Sequence, residues 1–335
     1  RKQRIKYHGN RSAWSIITKG IPQGSVLGPI MYNIFINDLL YKIDVHFYNY
    51  ADDNTISVIG DNVSDNLTSL KKSVDLCMKW FKDNMLKANP DKFQLIILDR
   101  KNHMSYENLN ICIDDNKIYP VDKVKLLGVE IDSHLSFETH VTGLCRKAAK
   151  NLKILLRMNV KERKDRMMLV ESFVLSNFNY CAIVWHFSNK TLKLRMEKIL
   201  ERSLRYVHKD YDSKFEKLLE VSKKSTLTLV RLRKIAIFMF KCLRKSQVSH
   251  LNDLVSKKSN GYSTRNNHTL NLERFKTIKY GKNSLRFTGA KLLNSIPLKY
   301  KGNDIELGNF IDIMDRWNCC EGVNCEKCND NVWHG

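Results

Sequence analysis

The sequence predicts an α+β protein in which short strands and amphipathic helices give way to a mostly α-helical region. Three observations predict this. Two short β-prone runs, residues 45–49 and 55–59, flank Tyr50-Ala51-Asp52-Asp53 and form a hairpin with two adjacent carboxylates at its tip. Upstream, the stretch from Gly20 to Pro29 packs three glycines and two prolines into one loop and then yields to the apolar run Ile30, Met31, Ile34, Phe35 and Leu39, the pattern of a loop followed by a buried helix. From about Phe137 to about Lys245 the apolar period becomes 3.6 and stays so.

Taken in order, residues 1–19 are basic and contain no Asp or Glu. The glycines of the following loop lack Cβ, so a sugar or base can lie against the main chain, and Gln23 offers both a donor and an acceptor there. Past the Asp hairpin, a helix is expected over residues 67–88, then strands at 93–98, 111–113 and 125–131. The change of period places a domain boundary at 136/137, with a helical domain over 137–255 and a C-terminal region over 256–335. That last region opens on polar, Asn-rich stretches at 256–271 and 302–309.

The longest apolar runs, 34–40 and 95–98, fall well short of a bilayer-spanning length. Residues 1–11 are basic, but the apolar core of a signal peptide does not follow. Nine cysteines is an odd number, and Cys77, Cys112, Cys145, Cys181 and Cys242 are scattered singly among apolar stretches, as expected of reduced thiols in an intracellular protein.

Two neighbouring carboxylates held close together favour protonation of one of them unless a cation compensates. Mg²⁺ suits such a place, because it takes one or two carboxylates together with substrate phosphate oxygens, and two such ions stabilise both oxygens of a phosphoryl transfer. The same Asp-Asp-Asn is also ordinary turn chemistry, and the residue types alone leave both readings open.

Lys and Arg total 57 against 35 Asp and Glu, a net charge of +22, which calls for a polyanionic partner or a counterion atmosphere. Arg146, Lys150, Lys153 and Arg157 recur at helical spacing opposite Leu144, Ala148, Leu152 and Leu155. Lys198, Arg202, Arg205 and Lys209 repeat the arrangement, backed by Met196, Leu200, Leu204 and Val207. A solvated cationic face and a phosphate-binding face both read this way, and the scarcity of acidic i,i+4 partners on the first stripe points toward phosphate. At the end of the chain, Cys325 and Cys328 have the bite of a zinc knuckle, with Cys319 and His334 as further donors for a structural Zn²⁺; unpaired thiols are the other reading.

The Pro-Gln-Gly loop with its helix, followed by the Tyr-Ala-Asp-Asp hairpin, resembles the palm of a reverse transcriptase, in the wording of the jockey-like non-LTR retrotransposons. Trp80, Asn84, Leu86, Asn89 and Lys92 resemble the next palm motif, and residues 126–132 the primer-grip hairpin. The segments 180–185, 280–284 and 293–297 resemble the C-terminal part of the same polyproteins.

The resemblance implies a partial right-hand polymerase palm over 1–136 followed by a helical thumb. It implies an RNA template, a DNA primer, a deoxynucleoside triphosphate (dNTP) and two Mg²⁺ ions as partners, with no membrane. Asp52 would be the principal metal ligand, Asp53 its auxiliary, and Tyr50 the residue orienting the hairpin near the primer end. Pro22, Gln23 and Gly24 would shape the nucleotide and template pocket, Lys92 would meet the departing pyrophosphate, and Leu127, Gly128 and Val129 would steady the primer. The family's further metal-binding Asp, on an earlier strand, has no counterpart in residues 1–19, so this sequence reads as a C-terminal fragment that is inactive alone. A non-catalytic nucleic-acid-binding relic and a maturase-like RNA-binding protein are the alternatives.

Overall fold

The computed structural model describes residues 2–317 other than 19, 22–23, 100–105, 107, 246–248, 256–269, 273, 298–299 and 303–304. The chain divides into two compact units, Arg1–Asp122 and Lys123–Gly335.

The first unit opens with an antiparallel ribbon of four short strands, β1 (Lys2–Gln3), β2 (Lys6–Tyr7), β3 (Asn10–Arg11) and β4 (Ser15–Ile16), in which β1 pairs with β4 and β2 with β3. Helix α1 (Gly28–Leu40) starts on Pro29, whose missing N–H costs nothing in a first turn. Strands β5 (His46–Tyr50) and β6 (Asp53–Ser57) form the Asp hairpin. Helix α2 (Val63–Asp83) begins four residues earlier than expected, because the Asn62 side chain accepts from the Ser64 N–H at 3.0 Å. It also stops earlier, because the Asn84 side chain donates to the Trp80 carbonyl at 2.9 Å and Met85 turns left-handed.

The core of this unit is thin. Ile36, Leu39, Ile43, Cys77 and Trp80 form one cluster, and Leu95, Ile111 and Ile113 form another against Leu67, Leu70 and Val74 of α2. The apolar run of α1 is therefore only half used: Ile36 and Leu39 are buried, while Ile30, Met31 and Ile34 remain exposed. The strand expected at 93–98 shrinks to one parallel bridge between Leu95 and Pro120, because proline has no N–H with which to extend a ladder. A short hairpin, β7 (Ile111–Ile113) with β8 (Asn116–Ile118), completes the unit.

The second unit begins with the hairpin β9 (Lys123–Leu126) and β10 (Val129–Asp132), followed by α3 (Glu138–Arg157), α4 (Arg163–Leu169), α5 (Lys190–His208), α6 (Phe215–Ser222) and α7 (Leu227–Leu243). After these come the one-turn α8 (Ser249–Asn252), then α9 (Leu285–Ser295) and α10 (Leu307–Arg316). The expected helical region over 137–245 thus corresponds to α3 through α7, but the unit starts at Lys123 rather than 137. The physical reason is that Val129 is buried with Phe137, Val141 and Cys145, so the hairpin shares the core of the helices. Asp132 fixes the join, accepting from the backbone N–H groups of His134 (3.1 Å), Ser136 (2.9 Å) and Phe137 (2.7 Å) and from the Ser136 hydroxyl (3.1 Å). Burial opposes ionisation of Asp132, but these four donors outweigh it and hold its carboxyl below the usual range.

A first core cluster runs from Val129 through α3 and α5 to Leu227, and a second joins α7, α9 and α10, where Phe240 stacks on Phe310 at 4.0 Å. Among the described residues no helix is long and apolar enough to cross a membrane. Cys77, Cys145 and Cys242 are buried free thiols, and Cys112 and Cys181 are partly buried ones. Cys319, Cys325, Cys328 and His334, the zinc donors of the sequence reading, lie outside the described residues.

Candidate active site and nucleic-acid surfaces

The Asp hairpin pairs Tyr50 with Asp53 and Asn49 with Asn54, leaving Ala51 and Asp52 as a two-residue turn in which Ala51 is left-handed (φ 52°). Non-glycine residues enter that region at some cost, and here the turn is held by side chains. Asn49 Nδ2 donates to the Ala51 carbonyl at 2.9 Å and to Asn54 Oδ1 at 2.8 Å, and Asn54 Nδ2 donates to the Asp52 carbonyl at 3.4 Å.

Successive strand residues face opposite sides, so Asp53 shares a face with Tyr50 and Tyr48, while Phe47 and Ile56 on the other face pack against the core; Asp52 belongs to the turn itself. Burial, and after it the nearby Asp52 carboxylate, pushes up the phenol of Tyr32 on α1. The hairpin tip and the helix after the Gly-rich loop therefore lie within electrostatic reach of each other. Asp52, Asp53 and Tyr50 are all exposed.

This donor set fits Mg²⁺ in a limited way. An exposed carboxylate such as Asp52 is a hard oxygen donor of the kind the ion takes beside substrate phosphates. Among the described residues no group of three His, Cys, Asp or Glu is placed to hold a metal.

Of the loop residues, Gly24 is left-handed (φ 79°) with open space where a Cβ would stand. Pro22 and Gln23 lie outside the described residues. Lys92 is exposed on a single 3₁₀ turn, Pro90–Lys92, capped by the Asn89 side chain.

In the second unit, Leu127 and Gly128 form a two-residue turn with both residues left-handed (φ 46° and 84°), the geometry that follows the twist of the flanking strands. The Tyr180 hydroxyl donates to the Leu127 carbonyl at 2.6 Å, and its ring lies 3.6 Å from where a Cβ on Gly128 would stand. Tyr180 is 53 residues away in the chain, and no local pattern announces this contact. Asn49 and Asn54 were legible in principle, as amides placed symmetrically about the turn.

Arg146, Lys150, Lys153 and Arg157 are all exposed on α3, and none takes part in an ion pair among the described residues. The second stripe is less uniform. Lys198 and Arg202 are exposed on α5, but Arg205 pairs with Glu201 at 2.7 Å and donates to the Tyr211 carbonyl at 2.6 Å. Lys209 lies past the helix end in a left-handed cap, so the expected repeat of four holds only in part.

A buried polar centre joins α5 to α7. Arg231 is 1% exposed, lies 5.4 Å from the Trp185 ring centroid and donates to Thr228 Oγ1 at 3.2 Å. Glu197 accepts from the N–H groups of Leu227 (3.1 Å) and Thr228 (2.8 Å) and from the Thr228 hydroxyl (2.8 Å). Burial pushes Lys193 down to about 8, with Arg231 adding to the effect, and the same causes hold His186 well below its ordinary value, with Lys193 contributing there too.

Residues 2–131 match the family described as reverse transcriptase (RNA-dependent DNA polymerase). A Pol polyprotein from the type-1 retrotransposable element R1 2 of Nasonia vitripennis is 25% identical over 199 residues, which are 56% of this chain and 48% of that protein. An R1 Pol polyprotein of Bradysia coprophila is 28% identical over 215 residues, 58% of this chain and 21% of its own length. The RNA-directed DNA polymerase from mobile element jockey of Drosophila melanogaster is 24% identical over 148 residues, 42% of this chain and 16% of that protein. The chain thus spans less than half the length of each. No solved structure matches. The Asp hairpin, the glycine loop with its helix and the Leu127–Gly128 turn all lie within residues 2–131, the segment similar to reverse transcriptases, and the relatives that the chain resembles are Pol polyproteins and RNA-directed DNA polymerases of mobile elements.

Proposed function

We propose that the chain supplies the Asp hairpin and the primer-side surfaces of an RNA-directed DNA polymerase that transfers a nucleotide from a dNTP to a primer 3′ hydroxyl on an RNA template. The observation that carries this reading is the placement of Asp52 at a hairpin tip held by Asn49 and Asn54, within reach of Tyr32 on the helix that follows the glycine loop. Asp52 would hold Mg²⁺ with help from substrate phosphates, and Asp53 would serve as an auxiliary. The ion, when bound, neutralises charge developing on the phosphoryl oxygens. Tyr50 orients the hairpin, Pro22, Gln23 and Gly24 border the nucleotide, and Lys92 meets pyrophosphate. Leu127, Gly128 and Val129 steady the primer, with Tyr180 holding their turn. The stripes on α3 and α5 contact phosphates.

The 335-residue chain alone extends no primer in this reading, because two carboxylates on one hairpin are too few to cage two ions. Primer extension on a primed RNA template with Mg²⁺ tests it. A longer chain that adds an Asp-bearing strand is expected to gain activity and to lose it on Asp52→Asn. The reading is sunk if that longer chain extends no primer, or extends equally well with Asp52→Asn. A non-catalytic nucleic-acid binder is the second reading, supported by the exposed cations of α3, and it predicts RNA binding unaffected by Asp52→Asn in a chain that never gains activity.

A further inference from the structure

We infer that the ribbon of residues 2–16 is a second nucleic-acid-binding surface, which takes a single strand along one basic face. The inference stands on the ribbon's own geometry and does not need the polymerase reading. Every residue from Lys2 to Ile16 is exposed. Lys6 pairs with Arg11 and Tyr7 with Asn10, closed by a left-handed His8-Gly9 turn (φ 44° and 83°). Farther from the tip, Lys2 pairs with Ile16 and Gln3 with Ser15. Between these two sets of rungs the outgoing strand holds Arg4 and Ile5, whereas the returning strand holds Ser12, Ala13 and Trp14. The returning strand is bulged by one residue.

The alternation sorts the side chains. Lys2, Arg4 and Lys6 lie on one face at intervals of about 7 Å, with Arg11 directly across from Lys6. The bulge brings Trp14 to the same face, where its ring centroid is 4.5 Å from the Arg4 guanidinium carbon. The opposite face carries Gln3, Ile5, Tyr7, Asn10 and Ser12, apolar residues diluted by polar ones, which is a poor surface for a lipid bilayer. No Asp or Glu occurs between Lys2 and Asn37, the first being Asp38, and none of the four cations takes part in an ion pair among the described residues.

Three cations in line with a fourth across from the last, without a local counter-charge, repel one another and gain from a polyanion with regularly spaced charges. A cationic track with an exposed indole is the arrangement that holds unpaired bases, by stacking, while phosphates follow the cations. A-form duplexes keep their bases stacked inside and present a major groove too deep and narrow for side chains to read, so the unpaired strand is the better occupant.

The test uses the full 335-residue chain and labelled 15-nucleotide RNA and DNA single strands, an RNA–DNA hybrid duplex, and vesicles containing anionic lipid, each titrated across salt. Replacing Lys2, Arg4, Lys6 and Arg11 together with Gln is expected to weaken single-strand binding by roughly tenfold or more and to lower the log–log salt slope by about 0.7 for each phosphate that is no longer neutralised. Trp14→Ala is expected to weaken it by about tenfold with the slope unchanged. Lys150→Gln with Lys153→Gln serves as the comparison on α3, and circular dichroism checks that helical content is kept. An unchanged slope in the ribbon variant with helices intact overturns the inference. So does a loss seen only on vesicles, or a loss confined to the duplex.

Discussion

The two hairpins that resemblance singles out are built alike and supported differently. Each turns on two residues with a non-glycine residue in the left-handed region, Ala51 in one and Leu127 in the other. The first is held by its own asparagines and leans on a cluster of five buried side chains. The second is held from outside, by the Tyr180 hydroxyl, and its Val129 belongs to the largest core cluster among the described residues. The carboxylate hairpin is thus locally determined and lightly anchored, whereas the Leu127–Gly128 hairpin takes its position from the helical unit.

The largest effect expected from this contrast is at Trp80, which is 2% exposed and donates to the Asp38 carboxylate at 3.2 Å. Trp80→Ala removes the widest side chain of a small cluster and is expected to cost about 4 kcal/mol. In urea unfolding followed by circular dichroism, an early transition belonging to the first unit should be lost while the later, helical transition stays in place. A common shift of all the amplitude contradicts the difference in anchoring.

Next in size is Glu197→Ala, expected to cost about 3 kcal/mol in the second unit, since it orphans the first N–H groups of α7 and leaves Arg231 without its nearby carboxylate. The helical transition alone should move. Tyr180→Phe should cost about 1 kcal/mol through the bond to Leu127. Its sharper readout is hydrogen exchange at Leu127 to Val129, which should quicken while exchange at Asn49 to Asp53 does not change.

The smallest effect is a pH dependence confined to the second unit. The folded-state value of His186 lies below the ordinary 6.5, so both states are neutral above that pH and the group adds no slope. As pH falls below 6.5 the unfolded chain takes the proton first, and stability is lost. Lys193, lowered to about 8, follows the same sign at the other end, stability rising with pH between about 8 and 10.5. Melting temperatures measured from pH 5 to 7 should fall less steeply toward acid for His186→Leu than for the wild type, and equal slopes would remove His186 as the cause.

What could be seen in the sequence was whatever rests on local pattern. The Asp hairpin, α1, α2 and the amphipathic α3 and α5 follow from alternation and period, and boundaries shift by only a few residues where Asn62 and Asn84 cap α2 or Lys209 caps α5. What could not be seen rests on contacts between distant segments. Residues 123–132 read as the end of the strand-rich part, yet their apolar side belongs to the helices because Val129 finds Val141 and Cys145 there. Arg205 has the spacing of a phosphate-binding residue, but its guanidinium is spent on Glu201 and the Tyr211 carbonyl. The two carboxylates were legible in Asp52 and Asp53, but the turn that sets Asp52 at the tip and pairs Asp53 with Tyr50 follows from the strand register, which spacing alone does not fix.

The bulged ribbon of residues 2–16 also has a bearing on proteolysis. A two-stranded ribbon whose every residue faces solvent opens at little cost, because no buried area is lost when it does. Lys2, Arg4, Lys6 and Arg11 are trypsin sites, so the side chains that would track a phosphate backbone are the same ones that expose the main chain to cleavage. Limited digestion should clip the ribbon before the helices, and a bound strand should slow that first cut.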